Sequence, residues 1–256
     1  MNRIRFIDLF AGIGGIRKGF ELAAEELGYF SECVFASEIK PSAISILKQN
    51  ITVKQRDVVG NIIQEWLRGW SDHNNVEYAV NDNTQMPPDF FLNPNDTESD
   101  LLEVKAFNRC AGPGFDIADF RMYEEEITEK PYMLFTDHLI FGYEMTEDGK
   151  VLIRDLWLKK VWEIVSSSED WPLKLQVKAN VVHKIRPCMF YSEKSRYKPF
   201  EKVEDYISEI EQTVWQNPKT KEESGTWLKR FKESYAKQYG MEMQVPRWQD
   251  IEKNYR

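Results

Sequence analysis

The sequence predicts an α/β protein: a mixed β-sheet flanked by helices, preceded by a truncated βαβ segment. Three observations carry that expectation. Apolar runs at residues 4–10 and 33–37 flank a glycine-containing turn and an amphipathic stretch over Ile16–Leu27, which together read as strand, helix, strand. Further short apolar runs at 76–80, 88–105, 134–144 and 151–156 are separated by turn residues and alternate with stretches of helical period. From about residue 201 to 256 the pattern is helical and charged. The chain therefore divides into residues 1–50, the βαβ segment, and residues 51–256, a sheet domain with a helical C-terminal part.

With 256 residues and 42% hydrophobic content the chain can bury one good core, so disorder throughout is excluded. The 3 cysteines show no CxxC spacing; neither a zinc cluster nor a disulfide framework is expected, which fits a reducing cytoplasm. Asp8 interrupts the apolar run at the N-terminus, so that run is not a signal peptide, and no other is long enough to span a bilayer. A cytoplasmic protein with no membrane partner is expected. The net charge of -8 argues against indiscriminate coating of polyanions, but the charge is unevenly spread. Residues 95–149 hold fourteen acids against four Lys or Arg, whereas 150–200 hold eleven bases against five acids. An acidic half suited to a cation and a basic half suited to phosphate are expected of metal-dependent chemistry on nucleic acid; two solvated faces are the alternative.

In the first segment, Gly12 and Gly14 follow a strand and open a helix, and Glu38 ends the second strand. Glycines there let backbone approach a ligand at a helix N-terminus, and an acid some twenty residues on can hold ribose hydroxyls. Asp-Leu-Phe-Ala-Gly-Ile-Gly-Gly (8–15) and Ala-Ser-Glu-Ile (36–39) resemble the first two motifs of DNA cytosine-C5 methyltransferases, whose Rossmann-like domain binds S-adenosylmethionine. The resemblance stops near Asn50. No Pro-Cys-Gln loop, Glu-Asn-Val acid or Gln-x-Arg-x-Arg element follows, and the one Pro-Cys, Pro187-Cys188, continues with Met189. The segment reads as a vestige in which S-adenosylmethionine is not expected to bind, and Cys188 as a small buried residue.

Helical spacing of Val58, Val59, Ile62, Ile63, Trp66, Leu67 and Trp70 predicts a helix over 53–70, with Glu65 near its middle. A strand at 76–80 and a loop at 81–88 then deliver Asp89. Pro88–Lys105 reads as two short strands joined by a polar turn, and its charges Asp89, Glu103 and Lys105 break the apolar rule for strands. Glu103 and Lys105 are two apart and share a face, while Leu102 and Val104 take the other. If Asp89 faces the same way, two carboxylates and an ammonium converge. Two carboxylates at one point repel unless a cation separates them, and oxygen-only ligands suit Mg²⁺. Lys105 would acidify an attacking water or stabilise charge developing on a phosphate.

Beyond it the patterning predicts a loop at Phe107–Gly114, a helix from an Asp116 N-cap to about Glu126, and a strand at Leu134–Glu144. A hairpin turn at Glu147-Asp148-Gly149 leads into a strand at Val151–Leu156, followed by a helix over Trp157–Val165 with Lys159 and Lys160 on its polar side. His138 is expected to be packed in the core rather than to act as a base. Lys174, Lys178, Lys184, Arg186, Lys194, Arg196 and Lys198, interleaved with aromatics, suit extended segments along a duplex backbone; a merely solvated face is the alternative. Helices are expected at Val203–Trp215 and Glu222–Gln238, with Trp227, Phe231 and Tyr235 packing inward.

Asp89 with Glu103-Val104-Lys105 resembles the PD-(D/E)xK nuclease motif. Phe115–Phe120, Glu129-Lys130-Pro131-Tyr132, His138–Phe141, Leu156–Ile164, Lys184-Ile185-Arg186-Pro187 and Tyr197-Lys198-Pro199-Phe200 extend the likeness: over roughly residues 52–216 the chain resembles the NgoBV/NlaIV-type Type II restriction endonucleases. That resemblance implies a Mg²⁺-dependent nuclease with a restriction-endonuclease-like sheet. Asp89 and Glu103 would hold the metal, Lys105 would assist, and Glu65 is a candidate further ligand, since a helix ahead of the motif often supplies an acid. It also implies double-stranded DNA as substrate, a homodimer on a short palindromic GGNNCC-type site, and a cognate methyltransferase encoded separately. Two other readings compete. A cofactor-binding methyltransferase fragment would melt higher with S-adenosylmethionine; a silent DNA-binding fusion would bind plasmid but leave it uncut.

Overall fold

The computed structural model describes residues 2–7, 23–27, 29–35, 57–81, 83, 87–146 and 151–256. β1 (Asn2–Ile7) and β2 (Tyr29–Phe35) pair in parallel, with a register shift between Phe6 and Ile7. Parallel neighbours require a crossover, so the pairing is that of a βαβ unit. Both strands begin earlier than the predicted 4–10 and 33–37, and residues 23–26 are the described end of the intervening helix. Gly12, Gly14 and Glu38 lie outside the described residues, as does the turn at Glu147–Gly149.

The main domain opens with α1 (Asp57–His73), β3 (Ala79–Val80), β4 (Phe90–Phe91), β5 (Leu101–Asn108), β6 (Ala118–Asp119) and α2 (Phe120–Glu129). It continues through β7 (Asp137–Met145), β8 (Val151–Lys160), β9 (Leu175–Lys178), β10 (Val181–Ile185), α3 (Val203–Gln216), α4 (Ser224–Tyr239) and α5 (Trp248–Ile251). A five-stranded sheet runs in the order β3-β4-β5-β7-β8 and is mixed: β5 and β7 are parallel, the other neighbours antiparallel. A second, antiparallel sheet has the order β6-β10-β9. Among the described residues no helix is long and apolar enough to cross a membrane.

The two faces of β5 enter two different cores, as a period of two requires. Leu102 and Val104 pack with Val59 and Ile63 of α1 and with Phe90, Phe141 and Tyr143. Leu101 and Phe107 join the larger core with Ile140, Ile127 of α2, Ile185 of β10, Ile207 of α3 and Trp227 of α4. Glu103 and Lys105 lie between Leu101 and Phe107 on this second face. The domain thus buries both sides of its sheet but sets two charges into one of them.

Several local expectations shift. The buried stripe of α1 is narrower than its periodicity suggested, with Ile62, Trp66 and Trp70 exposed. β3 keeps two residues of the predicted 76–80, and residues 131–135 form a 3-10 turn before β7. β5 continues to Asn108, into the predicted loop, because Phe107 is a core residue. The cap of α2 is Asp119, whose carboxylate accepts from Met122 N–H at 3.3 Å, rather than Asp116, whose carboxylate pairs with Arg186. Trp157–Lys160 is strand, not helix. Trp157, Val161, Ile164 and Val165 mimic helical spacing, but residues 156–160 pair one for one with 141–137 of β7, and a 3-10 turn at Val161–Glu163 follows. Lys160 accordingly reaches Asp137 at 2.7 Å and the Phe135 carbonyl at 2.6 Å.

Candidate active site

The antiparallel register Phe90↔Leu102 places Asp89, one residue before β4, opposite Glu103. The Asp89 carboxylate accepts the Val104 N–H at 2.7 Å and a hydrogen bond from the Gln64 side chain of α1. Lys105 Nζ donates to Glu103 Oε1 at 2.7 Å. Glu103 is only 7% exposed, and its Oε2 is buried with no hydrogen-bond partner among the described residues. Glu103 and Lys105 thus share one face of β5, and Asp89, in the bend just ahead of β4, is tied to the same strand through the Val104 N–H.

The electrostatics follow from that crowding. Burial, then the negative charge of Glu103, pushes the Asp89 carboxyl up to about 6; the Val104 N–H, Lys105 and Gln64 pull the other way. Burial on its own would lower the Lys105 pKa, but Glu103, Asp89 and Asp116 together raise it, so it remains an ammonium. His138 lies beside Glu103 in the register of β7, with Nδ1 3.2 Å from the Thr136 carbonyl. Burial and the nearby Lys105 charge push its pKa down to about 3, so it is a neutral packed imidazole, as the sequence suggested. Cys188 is buried, and burial pushes its thiol up to about 11, which removes it as a nucleophile near neutral pH. One orphaned carboxylate oxygen and a second carboxylate that resists ionisation beside it fit a hard divalent cation, whose charge would relieve both.

Glu65 does not join them. It lies about 200° around α1 from the buried Ile63, at roughly 100° per residue, and pairs with Arg68 at 3.0 Å on the exposed side. Its neighbour Gln64, at the border of the Val59–Ile63 stripe, is the α1 residue that reaches Asp89. That border position was the available signal, passed over because Gln is not charged. Asp116, not a cap after all, pairs with Arg186, and its charge acts on Lys105.

The basic segment splits into two groups. Lys184 lies 3.7 Å from Asp119, and Arg186 pairs with Asp116 and donates to the Gly114 carbonyl at 2.8 Å, so both brace β10 against the β6 region. Lys174 is half-buried, and burial lowers its pKa. Lys178, Lys194, Arg196 and Lys198 are exposed, although Arg196 lies 3.8 Å from Glu169 and Lys198 donates to the Glu193 carbonyl at 2.6 Å.

A mixed sheet carries these two carboxylates and a lysine, and the proteins this chain matches give the class: a Type II restriction endonuclease. The chain belongs to the NgoBV restriction endonuclease family, which matches residues 37–255 and so extends the likeness through the C-terminal helices. It is 56% identical over 208 residues to "Type II restriction enzyme NlaIV" of Neisseria lactamica, covering 81% of this chain and 86% of that one. It is 55% identical over 132 residues to "Type II restriction enzyme NgoBV" of Neisseria gonorrhoeae, covering 50% of this chain and 73% of that one. The solved structure of NlaIV restriction endonuclease superposes with a TM-score of 0.76 at 56% identity, over 80% of this chain and 84% of the other. Residues 4–67 match C-5 cytosine-specific DNA methylase. Over 50 residues the identity to "Type II methyltransferase M.NgoBV" of Neisseria gonorrhoeae is 60%, which covers 20% of this chain but 12% of that protein. The two family matches overlap across 37–67.

Proposed function

We propose that this endonuclease hydrolyses phosphodiester bonds of double-stranded DNA with Mg²⁺ held by Asp89 and Glu103. The observation that carries the reading is the unpartnered Glu103 Oε2 directly across from Asp89, with Lys105 alongside. Bound there, Mg²⁺ supplies Lewis-acid stabilisation of charge on the phosphate and acidifies water. The chain's own groups do the rest. Lys105, kept protonated by its carboxylate neighbours, donates to the charge that develops on the phosphate rather than taking a proton. Gln64 and the Val104 N–H fix the direction of Asp89. His138 stays neutral and adds no competing positive charge.

The substrate is taken to be a palindromic GGNNCC-type site read by a homodimer, since two symmetric copies suit two symmetric half-sites. The exposed Lys178, Lys194, Arg196 and Lys198 are assigned to phosphate, with Lys174, Lys184 and Arg186 shaping the surface beneath them. Residues 1–50 are taken as a segment apart from the 51–256 domain, and the modifying methyltransferase as a separate chain. Incubating plasmids with and without GGNNCC sites in Mg²⁺, then in EDTA, tests this. Discrete fragments from the first plasmid alone, abolished by EDTA, are expected; equal cutting of both would reject the site, and cutting in EDTA would reject the metal.

A further inference from the structure

A second cluster of acids sits where α2 meets the start of α4, made of none of the residues above. Glu124 and Glu125 of α2 and Glu223, just ahead of α4, each bring one carboxylate oxygen to within 4.8 Å of the others. Among the described residues no other three His, Cys, Asp or Glu side chains do so. Glu124 has 0% exposure, and neither of its carboxylate oxygens has a hydrogen-bond partner. The Trp227 indole N–H gives its hydrogen bond to the Glu124 main-chain carbonyl at 3.3 Å. A buried carboxylate left so costs on the order of several kcal/mol unless a proton or a cation neutralises it.

The neighbours favour a cation. Arg121 lies 3.5 Å from Glu125 and Arg230 lies 3.5 Å from Glu223, but both are exposed pairs of the kind worth about 0–1 kcal/mol, and neither guanidinium bonds to Glu124. They can swing away at little cost. Three carboxylate oxygens within 4.8 Å of one another can share one divalent ion, and the flexible, oxygen-only shell of Ca²⁺ tolerates their irregular placement. The scaffold is preformed, because the Trp227 bond and the contact of Ser234 Oγ with the Glu129 carbonyl at 3.5 Å already tie α4 to α2.

We propose that Glu124, Glu125 and Glu223 form a second divalent-cation site, oxygen-only and suited to Ca²⁺, that fastens α4 to α2 independently of the nuclease centre. The test is calorimetric titration of CaCl₂ into full-length Asp89→Asn/Glu103→Gln protein, with melting curves alongside. One Ca²⁺ per chain and a raised Tm are expected, and adding Glu223→Gln or Glu124→Gln should weaken binding at least about tenfold and erase the Tm rise. No Ca²⁺ binding by the Asp89→Asn/Glu103→Gln protein, or binding unchanged by either Gln substitution, would overturn the site. Should the double variant not fold, the comparison moves to the unaltered chain. There Glu223→Gln is expected to remove one bound Ca²⁺ while plasmid cleavage persists, and unchanged stoichiometry would overturn the proposal.

Discussion

Ionising Asp89 in the folded protein places a second negative charge beside Glu103 in a partly dehydrated cleft, so its carboxyl titrates at about 6 instead of 3.8. A pKa raised on folding means that the native state holds the proton longer than the unfolded chain. Stability contributed by this group is present below about pH 4 and is lost as the pH rises to about 6. Asp89→Asn retains an acceptor for the Val104 N–H and never ionises. Without divalent metal it is expected to stabilise the protein by about 1–3 kcal/mol above pH 6, with the gain vanishing below about pH 4, as read by urea unfolding across pH. Glu103→Gln works in the opposite sense, because it replaces the charged 2.7 Å partner of the buried Lys105 ammonium with a neutral amide. A loss of about 3 kcal/mol is expected at pH 7, and urea unfolding checks it. Asp89, Glu103 and Lys105 were legible in the sequence because charges at alternate strand positions stand out. Gln64 and Asp116 were not, because their importance lies in which partners the tertiary fold brings to them.

Strand pairing explains where element boundaries were and were not readable. β5, with polar residues only at 103 and 105 until its last position, declared itself. β8 did not. It is an edge strand whose outward positions include Leu156 and Leu158, so its sequence lacks the apolar-polar alternation that marks a half-buried strand, and the spacing of Trp157, Val161, Ile164 and Val165 imitates a helix. What holds β8 to β7 at this point is a close approach at Gly142. A Cβ there would stand 2.8 Å from Arg109 Cδ and 2.9 Å from the Trp157 ring. Trp157 in turn stacks on Phe107 and Tyr191 at centroid distances of 5.8 and 5.5 Å, and the Arg109 guanidinium lies 4.1 Å from the Tyr191 ring. Gly142→Ala is expected to cost about 1–3 kcal/mol by forcing this stack apart, with a loss of near-ultraviolet circular dichroism as the second readout. Asp119→Ala should remove the cap of α2 at a cost of about 1 kcal/mol, whereas Asp116→Ala should leave helix content unchanged.

At the scale of the chain, a match to C-5 cytosine-specific DNA methylase runs into a match to the NgoBV restriction endonuclease family, and each was visible through its own motifs. The charge polarity seen in the sequence is partly consumed internally: Asp116 and Asp119 from the acidic half pair with Arg186 and Lys184 from the basic half. Net charge along a sequence cannot reveal such pairing, which is why the expected DNA-facing set shrinks to its exposed members. Since the head matches 12% of M.NgoBV, S-adenosylmethionine is expected to leave the Tm unchanged; a rise would show a working cofactor site. The central claim is that Asp89, Glu103 and Lys105 act as one hydrolytic centre. Its most direct test is Mg²⁺-dependent plasmid cleavage by Asp89→Asn and Lys105→Ala proteins confirmed to be folded. Both are expected to bind DNA yet cut at least about 100-fold more slowly than the unaltered enzyme; cleavage within about tenfold of it by either variant would contradict the claim.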